Sequence, residues 1–510
     1  MLQSLPKVFW MIVFFLLMNG FARPQNISPP MLPRKAFHKI GKLHATFYHL
    51  VDERKPVFAN SSAPSALLDE SGEAIAMVAS AFKSKLEIEG VGRLADGRVV
   101  SFAGFKRTNN NGATSPGREA YYQVVENAPF GFGVENYKLM PYRTAAVDPR
   151  RILIGSVLFV PEAYGVVLPS GEIHDGYFFA HDVGRAVKHD RIDLFVGNEE
   201  DVDNSFSRSA RLRHARELEV YLVQEPLASV MRKRYREDFE YAPRPGLHEM
   251  LAKPMDNFIR EIGGREPDLN RRLAIYSERA KGTPYSLFAL GEGPAAKYDR
   301  DPLMDFSRAD CMTFCEQILA LAISADYEEM FGNLQRLRYQ RGEVGFTTRN
   351  HYTLADWLPH NAWLLADATV EIGGSSCAEM SKVIDRPAFF RKLGVPESEL
   401  ANVPPAQGLT IKYIPAAHLP AIKKKLRGGE IVSIVQKAPG IFSAHMGFII
   451  RDRYDNVLFR HASSRPEANQ VVDEFFDEVA AQIQLSESRV GMVFMRIRSD
   501  FAAAERAWEP

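Results

Sequence analysis

Short apolar runs, many of them alternating with polar residues, follow one another from about residue 60 to residue 225. "ILIGSVLFVPE", "GYFFAHD" and "RIDLFVG" are of this kind, and Gly, Pro and Asp separate them. Apolar residues with a period of two between turn residues predict short β-strands. Many short strands with such turns favour a small all-β barrel or sandwich, which we assign to residues 61–225.

The pattern changes in the second half of the chain. "DLNRRLAIYSERA" and "CMTFCEQILALAIS" have helical spacing, and the strand-like runs "EIVSIVQ", "HMGFIIRD", "NVLFRHAS" and "RVGMVFMRIR" follow them. Helices followed by strands predict an α+β domain over residues 266–500. Between the two domains, the charged stretch 226–265 is interrupted by "APRPGLHE" and is expected to be a helical linker.

The N-terminus has the pattern of a secretory signal peptide over residues 1–22. Lys7 precedes an apolar run from Val8 to Met18, and the small residues Gly20 and Ala22 follow. The run is shorter than the ~20 residues of a spanning helix. We therefore expect a periplasmic or secreted protein without stable membrane insertion after signal cleavage, and an uncleaved anchor is the alternative. Residues 23–60, rich in Pro, Asn and Ser near both ends, are expected to be a linker.

Length and charge narrow the class of protein. The chain has 510 residues, which suggests two domains with connectors. Lys+Arg and Asp+Glu both number 63, so the net charge is zero. The absence of an excess of either sign argues against a nucleic acid or an anionic membrane as the main partner.

Cys311 and Cys315 lie one helical turn apart at the start of an apolar helix, and only Cys377 accompanies them. Ser307 or Asp310 can cap this helix, because a short side-chain oxygen accepts from free amides of the first turn. The free N–H groups and the helix dipole there favour a thiolate, which predicts Cys311 as a nucleophile. Cys315 continues an apolar stripe and is expected to be a packing residue.

Other interpretations of the cysteines stay open. Two buried free thiols would be a purely structural arrangement. A zinc half-site would need a second ligand pair, and no pair of matching spacing follows. A disulfide within one helix is sterically awkward. Three cysteines give no disulfide framework, and Cys377 has no role that the pattern indicates.

A cysteine nucleophile needs a base and a group that orients the base. His445 begins a predicted strand, "DRYDN" is a turn, and His461 lies on the returning strand. A hairpin centred on Arg453 places these two histidines directly opposite each other, with their Cβ atoms ~5 Å apart. The pattern therefore predicts His445 as the base and His461 as its partner.

The same residues resemble a known family. "GTPY" (Gly282 to Tyr285), "DCMTFCE" with "LALA", and "HMGFII" with "RHAS" resemble NlpC-type papain-like cell-wall peptidases and amidases. "LRYQRGEVGFTTRNHYTLADWLPHN" resembles a subfamily of NlpC-type N-acetylmuramoyl-L-alanine amidases, and the match runs from about 266 to 500. The resemblance implies a nucleophile, a base and an orienting residue at Cys311, His445 and His461. It further implies that a substrate groove is lined or supported by Tyr285, Arg349, His351, Tyr352, Asp356 and Trp357.

Three aspartates form a second constellation, in the first domain. Asp182 and Asp193 stand on a strand–turn–strand segment that can return them to one cleft, and Asp148 precedes them. Two close carboxylates can push their pKa values apart, so that one stays protonated as an acid. The structural alternative is that aspartates near turns simply form the turns.

The sequence of this segment resembles the 3D (three-aspartate) double-psi β-barrel domain, which is shared with MltA-type lytic transglycosylases. The resemblance implies Asp193 as a single acid/base, with Asp182 and Asp148 in support. Arg185 and His189 stand where glycines are usual, and the segment is too short for the second, substrate-gripping domain of MltA. Glycan binding without cleavage is therefore an alternative.

Together the resemblances imply a multidomain chain with an all-β double-psi barrel followed by an α+β papain-like domain. They imply an exported peptidoglycan hydrolase that acts on peptidoglycan or muropeptides and needs no metal or cofactor. Its cysteine amidase would cleave the N-acetylmuramoyl-L-alanine bond, and its barrel would bind or lytically cleave glycan strands. A γ-D-glutamyl endopeptidase and a non-catalytic cell-wall-binding protein are the alternatives.

Overall fold

Strand β1 (Phe37–Asp52) pairs with three other strands of the N-terminal half. The computed structural model describes residues 36–59, 63–108, 117–240 and 245–501. The chain divides into two compact units, residues 1–243 and residues 244–510. The expectation of a multidomain chain is therefore confirmed.

The N-terminal unit consists mainly of short strands. After β1 its strands are β2 (Pro64–Leu68), β3 (Ala74–Ala79), β4 (Val91–Arg93), β5 (Val99–Thr108), β6 (Gly117–Val125), β7 (Thr144–Ala146), β8 (Val157–Phe159), β9 (Tyr177–Asp182), β10 (Arg191–Asn198) and β11 (Glu217–Val223). In the part that the structure describes, its α-helices are α1 (Pro56–Ala59), α2 (Ser80–Glu89), α3 (Leu227–Arg234) and α4 (Arg236–Phe239).

Six of these strands close into a barrel. Their order is β10, β7, β9, β8, β11 and β1, and β1 pairs again with β10. Closure removes the free edges that an open sheet would expose. The core of the barrel contains buried apolar residues from every strand, including Leu43, Ala145, Leu158, Phe178 and Leu194. The all-β barrel expected for this half of the chain is thus confirmed.

A second lobe continues from the C-terminal end of β1, where Val51 pairs with Gly92 of β4. The strands of this lobe follow in the order β4, β5, β6, β2 and β3. Helix α2 packs Phe82 and Leu86, which are one turn apart, into the lobe's apolar core. The unit therefore holds a second lobe besides the barrel, although we expected the segment to be too short for the second, substrate-gripping domain of MltA.

The stretch 23–60 and the first part of the stretch 226–265, which we assigned to linkers, carry elements of the barrel unit, whereas Ala252–Arg265 forms a helix of the C-terminal unit. Strand β1 lies in the stretch 23–60, where Pro, Asn and Ser near the ends indicated a linker, yet most residues in the second half of the strand are buried. Helices α3 and α4 lie in the stretch 226–265 and pack on the barrel strands through Leu227, Met231 and Phe239. The signal peptide expected over residues 1–22 lies outside the described residues.

The C-terminal unit combines helices with one antiparallel sheet. Its strands are β12 (Leu365–Asp367), β13 (Ala378–Ile384), β14 (Gln407–Pro415), β15 (Ile431–Gln436), β16 (Ser443–Arg451), β17 (Val457–Ala462), β18 (Val471–Phe475) and β19 (Arg489–Ile497). Its α-helices, within residues 245–501, are α5 (Ala252–Arg265), α6 (Leu269–Arg279), α7 (Cys311–Ile323), α8 (Tyr327–Arg338), α9 (Leu358–His360), α10 (Thr369–Gly373), α11 (Arg386–Lys392), α12 (Leu419–Ile422) and α13 (Phe476–Gln484).

Helix α7 packs against helices α6 and α8 and against strand β16 of the sheet. The sheet order is β13, β14, β19, β15, β16, β17 and β18, and β12 also pairs with β19. Phe314 of α7 contacts Phe448 of β16 edge to face, with ring centroids 5.4 Å apart. This packing brings the start of the cysteine helix to the start of β16. In the described ranges, no helix has the length and apolar character needed to cross a membrane.

Candidate active site

The cysteine helix α7 begins at Cys311 and is capped by Asp310. The Asp310 Oδ1 atom accepts hydrogen bonds from the backbone N–H groups of Met312, at 3.0 Å, and Thr313, at 2.8 Å. The Asp310 N–H in turn donates to Thr313 Oγ1, at 2.9 Å, which completes a capping box. Ser307, the other candidate cap, instead donates its hydroxyl to Asp305. Cys311 therefore occupies the first helical position.

The Cys311 thiol lies against the first residues of β16. The backbone N–H of Met446 hydrogen-bonds its sulfur, which places the thiol beside the peptide that joins His445 to Met446. Burial, reinforced by the Asp310 carboxylate, raises the pKa of Cys311 to about 12, although the N–H groups of Met446, Cys311 and Met312 act in the opposite direction. The N–H groups at the helix start thus lower the Cys311 pKa, as expected, but desolvation outweighs them.

The other two cysteines are unpaired, as is Cys311. Cys315 is fully buried on the core side of α7. Cys377 is half-buried, and its thiol donates to the backbone oxygen of Thr369 at 3.4 Å.

Two histidines form a short hydrogen-bonded pair next to the thiol. The Nε2 atom of His445 lies 2.7 Å from Nδ1 of His461. Burial lowers the pKa of His445 well below its usual value, and the charges of His461, Arg489 and Arg465 act in the same direction. Burial therefore favours the neutral form of both the His445 imidazole and the Cys311 thiol.

The histidines are diagonal neighbours rather than directly opposed, which corrects the expected register. Phe448 pairs with Arg460 and Arg451 with Val457, so the hairpin is centred on Tyr454, one residue later than expected. Asp455, with φ 64°, takes the left-handed conformation in this turn. Diagonal residues of an antiparallel pair stay within reach of long side chains, so two imidazoles still meet.

A carboxylate that we did not predict completes the relay. The Nε2 atom of His461 lies 2.8 Å from Oε1 of Glu474 on β18, and Arg465 also pairs with that oxygen. Burial alone would raise the pKa of Glu474, but the hydrogen bond and charge of His461, together with Arg465, lower it to about 2. The half-polar run "VVDEF" did not indicate a strand. The sequence feature that could have indicated Glu474 is a carboxylate shortly after the second histidine.

Tyr285 lies close to the thiol. Its backbone N–H donates to the carbonyl oxygen of Asn469 at 2.9 Å. Burial raises its pKa, and so do the charges of Cys311 and Asp310, whereas a hydrogen bond with Ser464 opposes the shift. The Tyr285 side chain is half-buried and therefore available to a molecule bound at Cys311.

The expected groove residues from 349 to 357 have protein partners. Arg349 pairs with Glu292 at 3.1 Å and Asp299 at 2.9 Å. His351 Nε2 lies 2.8 Å from the carbonyl oxygen of Phe346, and its ring packs against Phe389 and Phe390.

The remaining members of this block surround a single π-helical turn, Thr353–Trp357. Asp356 forms a buried ion pair with Arg386 at 2.6 Å, and Trp357 is 0% exposed. Tyr352 is half-buried against the ring of Phe389. The Thr353 hydroxyl donates to the Met446 sulfur at 3.3 Å, which ties the turn to β16. The block therefore contacts β16 through Thr353, and Tyr352 and His351 are half-buried whereas Trp357 is fully buried.

In the N-terminal unit, Asp182 and Asp193 flank Ala146 on neighbouring strands. Ala146 pairs with Asp193 of β10 on one side and with Asp182 of β9 on the other, so the side chains share one face. Burial raises the pKa of Asp182 to about 7, and the charge of Asp193 adds to this. Burial also raises the pKa of Asp193 to about 6.

The partners of the aspartates differ. The hydroxyl of Tyr48 donates to Asp182 Oδ2 at 2.9 Å. Asp193 Oδ1 is buried without a hydrogen-bond partner among the described residues. Asp148 accepts backbone N–H groups from His189, at 3.0 Å, and Arg150, at 3.1 Å, and therefore fastens two loops. These bonds lower its pKa although burial acts in the opposite direction.

Two family models match the chain. An "AmiA-like: N-acetylmuramoyl-L-alanine amidase-like" model matches residues 275–484, and a "3D domain" model matches residues 143–212. Both resemblances stated from the sequence are thereby confirmed. An amidase-like domain and a 3D domain in one chain indicate an enzyme that acts on peptidoglycan. A comparison with curated proteins gave no match.

Several solved structures are similar to parts of the chain. A Legionella pneumophila protein is 23% identical over 48% of this chain and 95% of its own, with a TM-score of 0.42. An N-acetylmuramoyl-L-alanine amidase from Bacteroides uniformis is 23% identical over 45% of this chain and 99% of its own, with a TM-score of 0.38. E. coli MltA with bound chitohexaose is 16% identical over 36% of this chain and 72% of its own, with a TM-score of 0.25.

Proposed function

We propose that the protein is an exported peptidoglycan hydrolase whose C-terminal unit is a papain-like, NlpC-type cysteine amidase. This amidase cleaves the bond between N-acetylmuramic acid and L-alanine. The N-terminal unit is a double-psi barrel domain that binds glycan strands or cleaves them lytically. The observation that carries the proposal is the thiol of Cys311 at the capped start of a helix, beside a relay of His445, His461 and Glu474.

The relay supplies the proton transfers of a cysteine hydrolase. His445 removes the proton from Sγ of Cys311 while the sulfur attacks the carbonyl carbon of the amide. The Cys311 backbone N–H, free at the helix start, stabilises the resulting oxyanion. Collapse of this intermediate breaks the C–N bond, and His445 returns the proton to the leaving amine. His445 then activates a water molecule that hydrolyses the thioester, so one amide and one water give one carboxylic acid and one amine.

The barrel has the chemistry of an acid/base site in its two half-buried aspartates. Asp193 keeps one buried oxygen without a partner and has a pKa raised by burial to about 6. Such a carboxyl group is partly protonated near neutral pH and could protonate a glycosidic oxygen. Asp182, held by Tyr48, supports it. Asp148 has only the loop-fastening contacts described above.

A digest of purified sacculi, analysed by mass spectrometry, tests the amidase. We expect intact stem peptides from the wild type and none from Cys311→Ala, whereas Cys377→Ala, a matched half-buried cysteine, behaves like the wild type. Clipped stem peptides would instead identify a γ-D-glutamyl endopeptidase. Unchanged lysis by Cys311→Ala would contradict the cysteine mechanism, and lack of any lysis by the wild type would indicate a wall-binding protein.

The same digest tests the barrel. Anhydro-sugar products that disappear in Asp193→Asn would support lytic cleavage. If the wild type makes none, the barrel is a binding domain.

Export is a separate part of the proposal. It is supported by the sequence pattern of residues 1–22 alone. Fractionation of expressing cells, with mass measurement of the mature chain, tests it. A mature chain beginning near residue 23 outside the cytoplasm is expected, and a full-length chain in the membrane fraction would favour a retained anchor.

A further inference from the structure

We propose that Glu474 is a positioning residue that fixes the tautomers of His461 and His445, and that Arg465 opposes it by sharing the same carboxylate oxygen. This inference rests on the cysteine site of the proposed function. Neither Glu474 nor Arg465 belongs to the set of residues that the sequence pattern indicated.

The proton positions follow from the two distances of the relay. An ionised carboxylate only accepts, so the Nε2 atom of His461 must carry the hydrogen that it shares with Glu474. The Nδ1 atom of a neutral His461 then has a lone pair, and it accepts from Nε2–H of His445. This leaves Nδ1 of His445 without a hydrogen. That nitrogen is the one able to take the thiol proton of Cys311.

The carboxylate also matters after proton transfer. When His445 becomes an imidazolium beside the Cys311 thiolate, its charge lies one imidazole away from the Glu474 carboxylate. Burial disfavours both ionic forms, as the pKa shifts of Cys311 and His445 indicate. A negative charge at the far end of the relay therefore reduces the free energy needed to form the ion pair.

The positive charge of Arg465 opposes the effect of the Glu474 carboxylate on His445. Its guanidinium group pairs with the Oε1 atom of Glu474 that also accepts from His461. Its positive charge contributes to the lowered pKa of His445, together with His461 and Arg489. The Arg465 side chain is 47% exposed, so a bound anionic group could draw it away from Glu474.

The charged neighbours of the relay are few. His445 interacts with the charges of His461, Arg489 and Arg465, and Glu474 interacts with His461 and Arg465. On the other side of β18, the Asp473 carboxylate also interacts with His461, but it is bound to Arg460 at 2.6 Å. Glu474 is therefore the carboxylate that bonds directly to the relay.

The rate of Cys311 alkylation by iodoacetamide, followed against pH on the full-length protein, tests the proposal without peptidoglycan. Peptide mass spectrometry resolves residue 311 from the other cysteines. For Glu474→Gln we expect the rate near pH 7 to fall about tenfold, corresponding to a shift of about one pKa unit. For Arg465→Gln we expect the rate to rise and the profile to move the opposite way. Asp477→Asn, which removes an exposed carboxylate of α13, is the control and leaves the profile unchanged.

The proposal would be overturned if the pH profile of alkylation for Glu474→Gln superimposed on that of the wild type. It would also be overturned if the profiles of Glu474→Gln and Arg465→Gln moved in the same direction. Should Glu474→Gln not fold, ¹⁵N chemical shifts of labelled histidines in the wild type decide. Both His461 and His445 are expected as Nε2–H tautomers, and an Nδ1–H tautomer of His445 contradicts the relay. If the digest shows that a different bond is cleaved, the proposed function changes but the role of Glu474 stands. If Cys311 does not react with iodoacetamide, both the proposed function and the role of Glu474 are contradicted.

Discussion

The imidazoles of His445 and His461 are in direct contact, 2.7 Å apart, although they are two residues out of register on neighbouring strands. Side chains on one face of an antiparallel pair meet along the diagonal as well as across the ladder. The diagonal leaves each ring a second nitrogen directed away from the other. His461 uses its second nitrogen for Glu474.

The Asp310 side chain both caps the cysteine helix and opposes ionisation of Cys311. Asn caps a helix about as well as Asp, so Asp310→Asn should keep the bonds to Met312 and Thr313 while removing the negative charge. We expect the Cys311 pKa to fall and alkylation near pH 7 to accelerate, with little change in thermal stability.

Asp310→Ala should instead lower the free energy of unfolding by about 1 kcal/mol, because the cap is lost. Ser307→Ala, at the position that does not cap, is the matched control and should leave both quantities unchanged. Slower alkylation of Asp310→Asn would contradict the assigned electrostatic effect.

The buried pair of Asp356 and Arg386 should matter for stability and not for substrate affinity. Removing one partner leaves an uncompensated buried charge, and such changes cost about 3–5 kcal/mol. We therefore expect Asp356→Ala to lower the urea midpoint of the C-terminal transition strongly. Glu397→Ala, which breaks the exposed pair with Arg391, should have little effect. A raised KM for muropeptides at wild-type stability would instead make Asp356 a substrate-binding residue.

The raised pKa of Asp182, to about 7 by burial, predicts a pH-dependent stability of the barrel unit. Between the unfolded pKa near 4 and the folded value, the native state binds more protons than the unfolded state. The contribution of Asp182 to stability should therefore be highest at the acid end of this window and decline as the pH rises towards 7, by about 4 kcal/mol. Urea unfolding of Asp182→Asn between pH 4 and 8 should show a flatter dependence than the wild type. An equal slope in both proteins would contradict the shift.

Gly447 is a sensitive position next to the relay. A Cβ atom there would lie 2.6 Å from the carbonyl oxygen of Arg460 and 2.7 Å from the ring of Phe459, which stacks on His461. Gly447→Ala should force β16 and β17 apart, lower stability and slow Cys311 alkylation. Gly408→Ala, on β14, meets no atom within 4 Å and should behave like the wild type. Unchanged alkylation of Gly447→Ala would show that the strands adapt without moving the histidines.

The sequence predicted the elements whose pattern is local and uniform. Helix α7 and strands β9, β10, β16 and β17 have clear periodicity, and they carry Cys311, both histidines and two of the aspartates. The nucleophile and the two histidines were therefore candidates from the sequence alone, and their catalytic roles stay predictions.

The parts that were missed depend on long-range pairing. Strand β1 is bordered by loop-like composition, and its partners lie far along the chain. Glu474 sits on a five-residue strand whose position is set by β17 and not by its own pattern. The pKa of Cys311 depends on its burial against β16. The sequence around the start of the helix does not reveal this burial.

The pairing of β1 has a consequence for the order of events during synthesis. His44 pairs with Arg191 and Phe37 pairs with Val223. Neither residue of β1 can form its strand pairing until the partner strand has been synthesised. Strand β1 is thus among the last described elements of its unit to complete its pairing, because contacts so distant in sequence form slowly. Part of the N-terminal unit is consequently unpaired until residue 223 is made, whereas the cysteine helix can already pack on α6 and α8, which are its neighbours in the sequence.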